Sequence, residues 1–305
     1  MKMLTIGIIT LITAAPLFGY VARKSVVTGG QIVIDKWAPS SFPIAWTMNP
    51  TRNSNITGLA DLGTAFRQAF QTWSAVSTAG ITFAERPAAP SMKPGLDGVN
   101  LITTNLTTAE WAVYGVDAMS LTNIISSVTT GEIIEADIIF NPNIEFTTGA
   151  FTTSNVADVQ AVATHEIGHF LGLDHTPLAS AVMFPLATGG SLSRTLTSDD
   201  MIGVSTLYPT AAFAARGSIA GTVRANTNTG IFGAIVVAVS AAGQPVAATV
   251  TDPDGKYSIG GLPAGSYTLI AEPMDGPFME NNFLIPLSSL YPSKTVNINF
   301  TTRFH

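Results

Sequence analysis

Three of the chain's four histidines stand close together as His165, His169 and His175, and Glu166 directly follows the first. Histidines four apart lie one above the other on a helix face, so both imidazoles can reach one ion. Glu166 projects about 100° round the same helix. That sets it beside the metal, where it can take a proton from the attacking water. Three imidazoles are a zinc ligand set, and they leave a fourth tetrahedral position open, as a catalytic rather than a structural zinc requires. The chemistry implied is metal-assisted hydrolysis.

The elements that must position these groups can be read on either side. Val156, Val159, Val162 and Ala163 follow helical spacing, which predicts an amphipathic helix carrying His165 and His169 in its C-terminal half. Ser154 or Asn155 offers the N-cap, and Asp158 first-turn negative charge. A helix continued to His175 would rotate that side chain away from the metal. Gly172 can instead end the helix in the left-handed conformation and send His175 back as third ligand. A second helical run over 198–208 starts with Ser198 as cap and Asp199 and Asp200 at its positive end.

The run 165–175 matches the metzincin metallopeptidase pattern His-Glu-x-x-His-x-x-Gly-x-x-His at every fixed position. With Thr176, the segment 180–185 and the segment 196–208, the chain most resembles the matrixins within that group, bacterial ones in particular. The resemblance spans roughly residues 31–210 and is specific over 165–208. It implies an α+β fold, a twisted mixed sheet with three main helices. It also implies a methionine turn in which Met183 packs under the histidines, and a hydrogen bond into that turn from Asp199 or Asp200. Ile44 to Met48 then read as the first strand. Leu59, Leu62, Phe66, Phe70, Trp73 and Val76 read as a core helix, followed by a strand at 81–83. Later strands fall at 99–102 and 136–141, the last being the expected edge against which an extended substrate pairs. Pro185, Leu186 and Ala187 would wall the pocket for the residue after the cut. Ala187 stands where the family often has tyrosine, and an apolar preference is expected there. Some metzincins carry a tyrosine just beyond the methionine; Phe184 stands there here and supplies no phenol.

Composition narrows the remainder. There is no cysteine, so disulfides, thiolate ligands and the cysteine that silences many animal matrixins are excluded. The histidine count also excludes the second, structural zinc of animal matrixins. Calcium is an alternative source of rigidity; Asp117, Glu132, Glu135 and Asp137 lie in the right stretch, but solvated loop charge explains them more simply. Net charge is −6 and only 11% of residues are charged, which argues against nucleic acid or anionic lipid as partner. Lys2 followed by the apolar run through Ile12 reads as a secretory signal over 1–22, with Ala15, Gly19 or Ala22 at the cleavage site. Pro16 argues against an uncleaved anchor, and no other stretch could span a membrane. About twenty residues between leader and first strand leave little room for a propeptide.

The peptidase region is expected over 23–210, a linker over 211–216 and a second domain over 217–305. There the periodicity changes to two: Ile219, Gly221, Val223; Ile235, Val237, Val239; Tyr257, Ile259; Tyr267, Leu269, Ala271. These read as strands with one face buried, joined by turns at 252–255 and 262–265. The pattern resembles the carboxypeptidase regulatory-like domain, an antiparallel β-sandwich. Asp252 and Asp254 fit turn positions better than calcium ligands. The sandwich implies no chemistry; it is a stabilising spacer or a module that sets the peptidase on a substrate, matrix or cell surface, its partner unknown. The combined expectation is a secreted zinc endopeptidase acting on protein or peptide substrates. The rival is an inactive secreted adhesion protein working through the sandwich.

Overall fold

A computed structural model of the chain describes residues 21–88, 92–149, 156–186 and 194–305. Most of the leader, the two N-cap candidates Ser154 and Asn155, and Ala187 therefore lie outside the described residues.

The peptidase region is built on a five-stranded sheet. Its strands are β1 (Ile44–Met48), β2 (Phe83–Glu85), β3 (Leu101–Thr103), β4 (Ser120–Ser126) and β5 (Ile133–Phe140), in the spatial order β2-β1-β3-β5-β4. All neighbours are parallel except β4, which runs antiparallel to β5. One expectation fails here. The segment expected to be the substrate edge lies inside the sheet as β5, and among the described residues the edge strand beside it is β4. Burial gives the reason: β5 is covered at nearly every position, whereas β4 is half-exposed along most of its length.

The acids of β5 also depart from the solvated-loop reading, although Asp117 and Glu132 are exposed as expected. Glu135 and Asp137 are buried and point to one face. Glu135 accepts the backbone N–H groups of Asp97 and Gly98, and Asp137 those of Gly95 and Leu101. They staple the loop entering β3, because a buried carboxylate needs donors and backbone N–H groups are the nearest supply.

Two helices cover the sheet. Helix α1 (Leu62–Ser74) is capped by Asp61, whose side chain accepts from Thr64 N at 2.8 Å. Leu59 lies exposed before it rather than in its stripe. Helix α2 (Val159–Phe170) is capped by Asp158, which accepts from Ala161 N at 3.0 Å, so this aspartate is the cap itself and not a first-turn charge. Leu62, Phe66, Phe70 and Trp73 bury one face of α1, and Trp73 donates through Nε1 to Thr164 O of α2 at 2.7 Å. Helix α3 (Ser198–Leu207) is capped by Thr197, not Ser198; Asp200 receives the Thr197 hydroxyl and N–H.

The C-terminal part contains β6 (Gly217–Thr222), β7 (Ile235–Ser240), β8 (Pro245–Val250), β9 (Lys256–Leu262), β10 (Tyr267–Glu272) and β11 (Arg303–Phe304). Strands β6 and β9 pair, and β8-β7-β10-β11 form the facing antiparallel sheet. Here burial exceeds the expectation of one covered face. Val236 and Ala238 of β7 point into the sandwich with Ile259 and Leu262. Ile235 and Val237 point the other way, into a cluster with Leu178, Ala181 and Phe184 of the peptidase region. The run Ile235-Val236-Val237-Ala238-Val239 is continuously apolar, the pattern of a strand covered on both faces. Ser198 Oγ donates to Val246 O at 2.7 Å, joining α3 to β8. Between β10 and β11 the chain leaves the sandwich and passes through Met274, Phe278, Phe283 and Leu287, all buried in that shared cluster.

Candidate active site

His165 and His169 project from the last turns of α2, and the chain reverses at Gly172 (φ +93°). A Cβ there would stand 2.2 Å from Asp35 O, so a side chain is excluded by contact as well as by conformation. Gly168, between the first two histidines, leaves room for the methionine turn; its missing Cβ would lie 2.2 Å from Met183 Sδ. The methionine thereby packs directly beneath α2.

His175 returns to the helical pair. Its Nε2 lies 3.2 Å from Nε2 of His165 and 3.2 Å from Nε2 of His169. Among the described residues these three are the one His/Asp/Glu group compact enough to share an ion. Each Nδ1 faces a carbonyl: Val182 O at 2.7 Å, Leu173 O at 2.9 Å and Asn282 O at 2.5 Å for His165, His169 and His175. A carbonyl only accepts, so each ring carries its proton on Nδ1 and turns a bare Nε2 lone pair to the centre. Three acceptors facing one another without a donor repel unless a cation joins them. Nitrogens held ~2.0–2.1 Å from zinc at tetrahedral corners stand about 3.3–3.4 Å apart, close to the spacing found. Burial, then the neighbouring imidazoles, hold His169 well below the ordinary histidine range and bring His175 down to about 3. Neutral, deprotonated donors are what a metal needs. The residues present fit a zinc ion.

Glu166 is buried on the rim of the same space. Its Oε1 accepts from Ser120 Oγ at 2.5 Å and its Oε2 from Thr122 Oγ1 at 2.6 Å. Both hydroxyls come from the edge strand β4. Sequence reading missed them, although a Ser-x-Thr alternation puts two hydroxyls on one face of a strand.

The methionine turn is fixed by α3. Asp200 accepts from Val182 N and Met183 N, each at 3.0 Å, and is the aspartate that bonds into the turn. Asp199 accepts from Thr176 Oγ1 at 2.7 Å and, across to β8, from Ala248 N at 2.8 Å. Pro185 sits half-buried on the wall of an adjoining cavity of about 420 Å³. That cavity is lined by the three histidines, Glu166 and the apolar side chains of Met119, Leu121, Phe184, Leu186 and Leu284. Asp174 is buried beside the third ligand; its Oδ1 accepts from His175 N at 2.7 Å and Leu284 N at 2.9 Å.

Comparison with known proteins agrees with this geometry. The family model for matrixins matches residues 36–209, more than half of the chain, and that for the carboxypeptidase regulatory-like domain matches 218–274. Metalloendoproteinase 5-MMP of Arabidopsis thaliana is 46% identical over 55 residues, 18% of this chain and 15% of that protein. Karilysin of Tannerella forsythia is 47% identical over 51 residues, 17% of this chain and 10% of that protein. Matrilysin of Rattus norvegicus is 50% identical over 48 residues, 15% of this chain and 18% of that protein. The chain thus spans less than a fifth of the length of each of these relatives.

Proposed function

This chain belongs to the matrixin family, and from that premise we propose that it is an exported zinc endopeptidase. Its reaction is hydrolysis of an internal peptide bond by a water that Glu166 deprotonates. The observation that carries the reading is the convergence of three bare imidazole nitrogens beside a clamped carboxylate on the wall of an apolar cleft. A zinc ion held by His165, His169 and His175 supplies Lewis-acid activation of the water and the scissile carbonyl.

The chain's own residues do the rest. Ser120 and Thr122 orient the Glu166 carboxylate, each occupying one oxygen and leaving a lone pair free on both. Glu166 takes the proton of the attacking water and passes it to the departing amine. Strand β4, which pairs on its outer edge with no strand among the described residues, offers main-chain groups to which an extended peptide adds as a further strand. Phe184 contributes apolar surface and no proton. The cleft's lining favours an apolar residue after the cut. A peptide-library cleavage profile dominated by charged residues at that position would refute this preference.

Export rests on Lys2 and the apolar run that follows. Among the described residues, no helix is long and apolar enough to cross a membrane. N-terminal sequencing of protein recovered from the culture medium tests this part.

The activity is tested by metal analysis of the purified protein together with casein or gelatin digestion, with and without chelator. One equivalent of zinc and chelator-sensitive digestion are expected. Zinc-loaded protein inert toward every protein substrate would favour the rival adhesion role.

A further inference from the structure

The three ligand histidines are held by unequal means. His165 and His169 find their carbonyl acceptors 17 and 4 residues away, inside the methionine turn and the helix end. The acceptor for His175 is the carbonyl of Asn282, 107 residues away. Asn282 sits on the excursion between β10 and β11, beyond both segments matched by family models, 36–209 and 218–274.

This excursion is built to hold that carbonyl still. Asn282 closes a short 3-10 turn, donating its N–H to Met279 O at 2.9 Å while its Oδ1 accepts from Met279 N at 2.7 Å. Phe278 and Phe283 flank the turn, meet edge-on with ring centroids 5.0 Å apart, and are buried with Leu178, Ala181 and Phe184. A second tie runs through Asp174, whose Oδ1 takes the N–H of Leu284 from the excursion and the N–H of His175 itself. Ring and backbone of the third ligand are therefore both fastened to the same three-residue stretch, 282–284, on the C-terminal side. Leu284 also lines the cleft.

We propose that the Asn282 carbonyl, delivered by the C-terminal domain, is a positioning group for the metal ligand His175. An acceptor on Nδ1 fixes the tautomer, locks the ring plane and strengthens Nε2 as a donor. The other two ligands receive this from the peptidase region; the third receives it only when the C-terminal domain is docked. The domain is then a component of the metal centre, not a spacer. The inference rests on the zinc reading above.

The test uses the full chain. Replacing Phe283 by phenyllactate makes the Asn282 carbonyl an ester, a weaker acceptor, removes the Phe283 N–H that donates to Glu280 O at 3.3 Å, and leaves every side chain unchanged. The same exchange one residue earlier removes the Asn282 N–H but keeps its carbonyl an amide. Zinc affinity is measured against a competing chromophoric chelator, and the cobalt-substituted visible spectrum reports ligand geometry. The first ester should weaken zinc binding by about 10–100-fold, the scale of lost outer hydrogen bonds to metal ligands, and shift the cobalt bands. The second loses the N–H bond to Met279 O that steadies the turn but keeps the acceptor, so it should weaken zinc binding and shift the bands clearly less than the first. A coarser pair repeats the contrast: Phe283→Ala should weaken zinc binding, whereas Ile259→Ala, buried in the sandwich interior away from the excursion, should not. Equal zinc affinity and spectra for the two esters, or equal losses in the alanine pair, overturn the proposal. Wild-type protein that takes up no zinc overturns the zinc reading itself, and is recognised before any variant is made.

Discussion

The helical half of the metal site and its returning half use the same chemistry under different conditions. His165 and His169 need only α2 and the methionine turn packed beneath it, and those meet through neighbours in sequence. His175 and Glu166 need partners from afar: Asn282 from the chain between β10 and β11, Ser120 and Thr122 from the sheet edge. A ligand pair on one helix forms whenever the helix forms. The third imidazole and the base have their full set of partners only when sheet, helix and sandwich have all docked. Binding of the ion is thereby coupled to completion of the whole fold.

The sharpest contrast between the halves comes from removing a ligand in each. His169→Ala and His175→Ala should each weaken zinc binding by roughly two to three orders of magnitude, one ligand's share of the ~10–16 kcal/mol that four-ligand zinc sites deliver. Digestion of casein should vanish in both. Chelator competition reads the affinities. Unimpaired zinc binding in His175→Ala would break the comparison, because the returning half would then hold no ion.

Glu166→Gln comes next. The amide can still meet the Ser120 and Thr122 hydroxyls but cannot take a proton, so kcat should fall by about 10²–10⁴. Zinc affinity should stay at the wild-type value, as Glu166 is not a ligand. Loss of zinc in parallel with turnover would move Glu166 from base to ligand. A smaller effect belongs to its clamp. Thr122→Val keeps the shape but removes the hydroxyl 2.6 Å from Oε2. A charge-assisted hydrogen bond contributes ~1.5–3 kcal/mol, and a part of it shared by the transition state gives about a tenfold fall in kcat. Thr122→Ser should restore turnover. A Ser variant as slow as the Val variant would show that the hydroxyl has no part.

The same division explains what could be read from the chain. The local half was legible: the histidine spacing, Gly172 as helix end, Met183, and an aspartate of the pair 199–200 bonded into the turn. The distant half was not, because its decisive partners on the C-terminal side are backbone groups. The carbonyl of Asn282, the N–H of Leu284 and the N–H of Ala248 carry no side-chain signature. The edge was expected at 136–141 from the family resemblance, and strand order depends on long-range pairing that the residues of β5 do not carry; its buried Glu135 and Asp137 take their donors from the 95–101 loop. Beside the Ser-x-Thr of β4, a second signal lies in the chain: five consecutive apolar residues in β7, the pattern of a strand covered on both faces. The peptidase region supplies the second cover.

Asp199 and Asp200 repeat the contrast within two adjacent residues, both 0% exposed. Asp200 has local donors in Thr197, Val182 and Met183. Asp199 has Thr176 and, from the second domain, Ala248. Burial first, and then the neighbouring Asp200 charge, push Asp199 up from 3.8 to about 7. The folded protein therefore keeps a proton between about pH 4 and 7 that the unfolded chain has released. Its contribution to stability is whole below about pH 4 and is lost as pH rises through 7. Asp199→Asn abolishes this titration and can keep both contacts, its oxygen accepting from Ala248 N and its amide donating to Thr176 Oγ1. With metal stripped from both proteins, urea midpoints at pH 5.5 and pH 8 should move in favour of the asparagine variant at the higher pH. A difference that is flat in pH, or that grows toward acid, would mean that Asp199 is charged throughout and that the docked second domain, through Ala248, stabilises a carboxylate instead of a carboxylic acid.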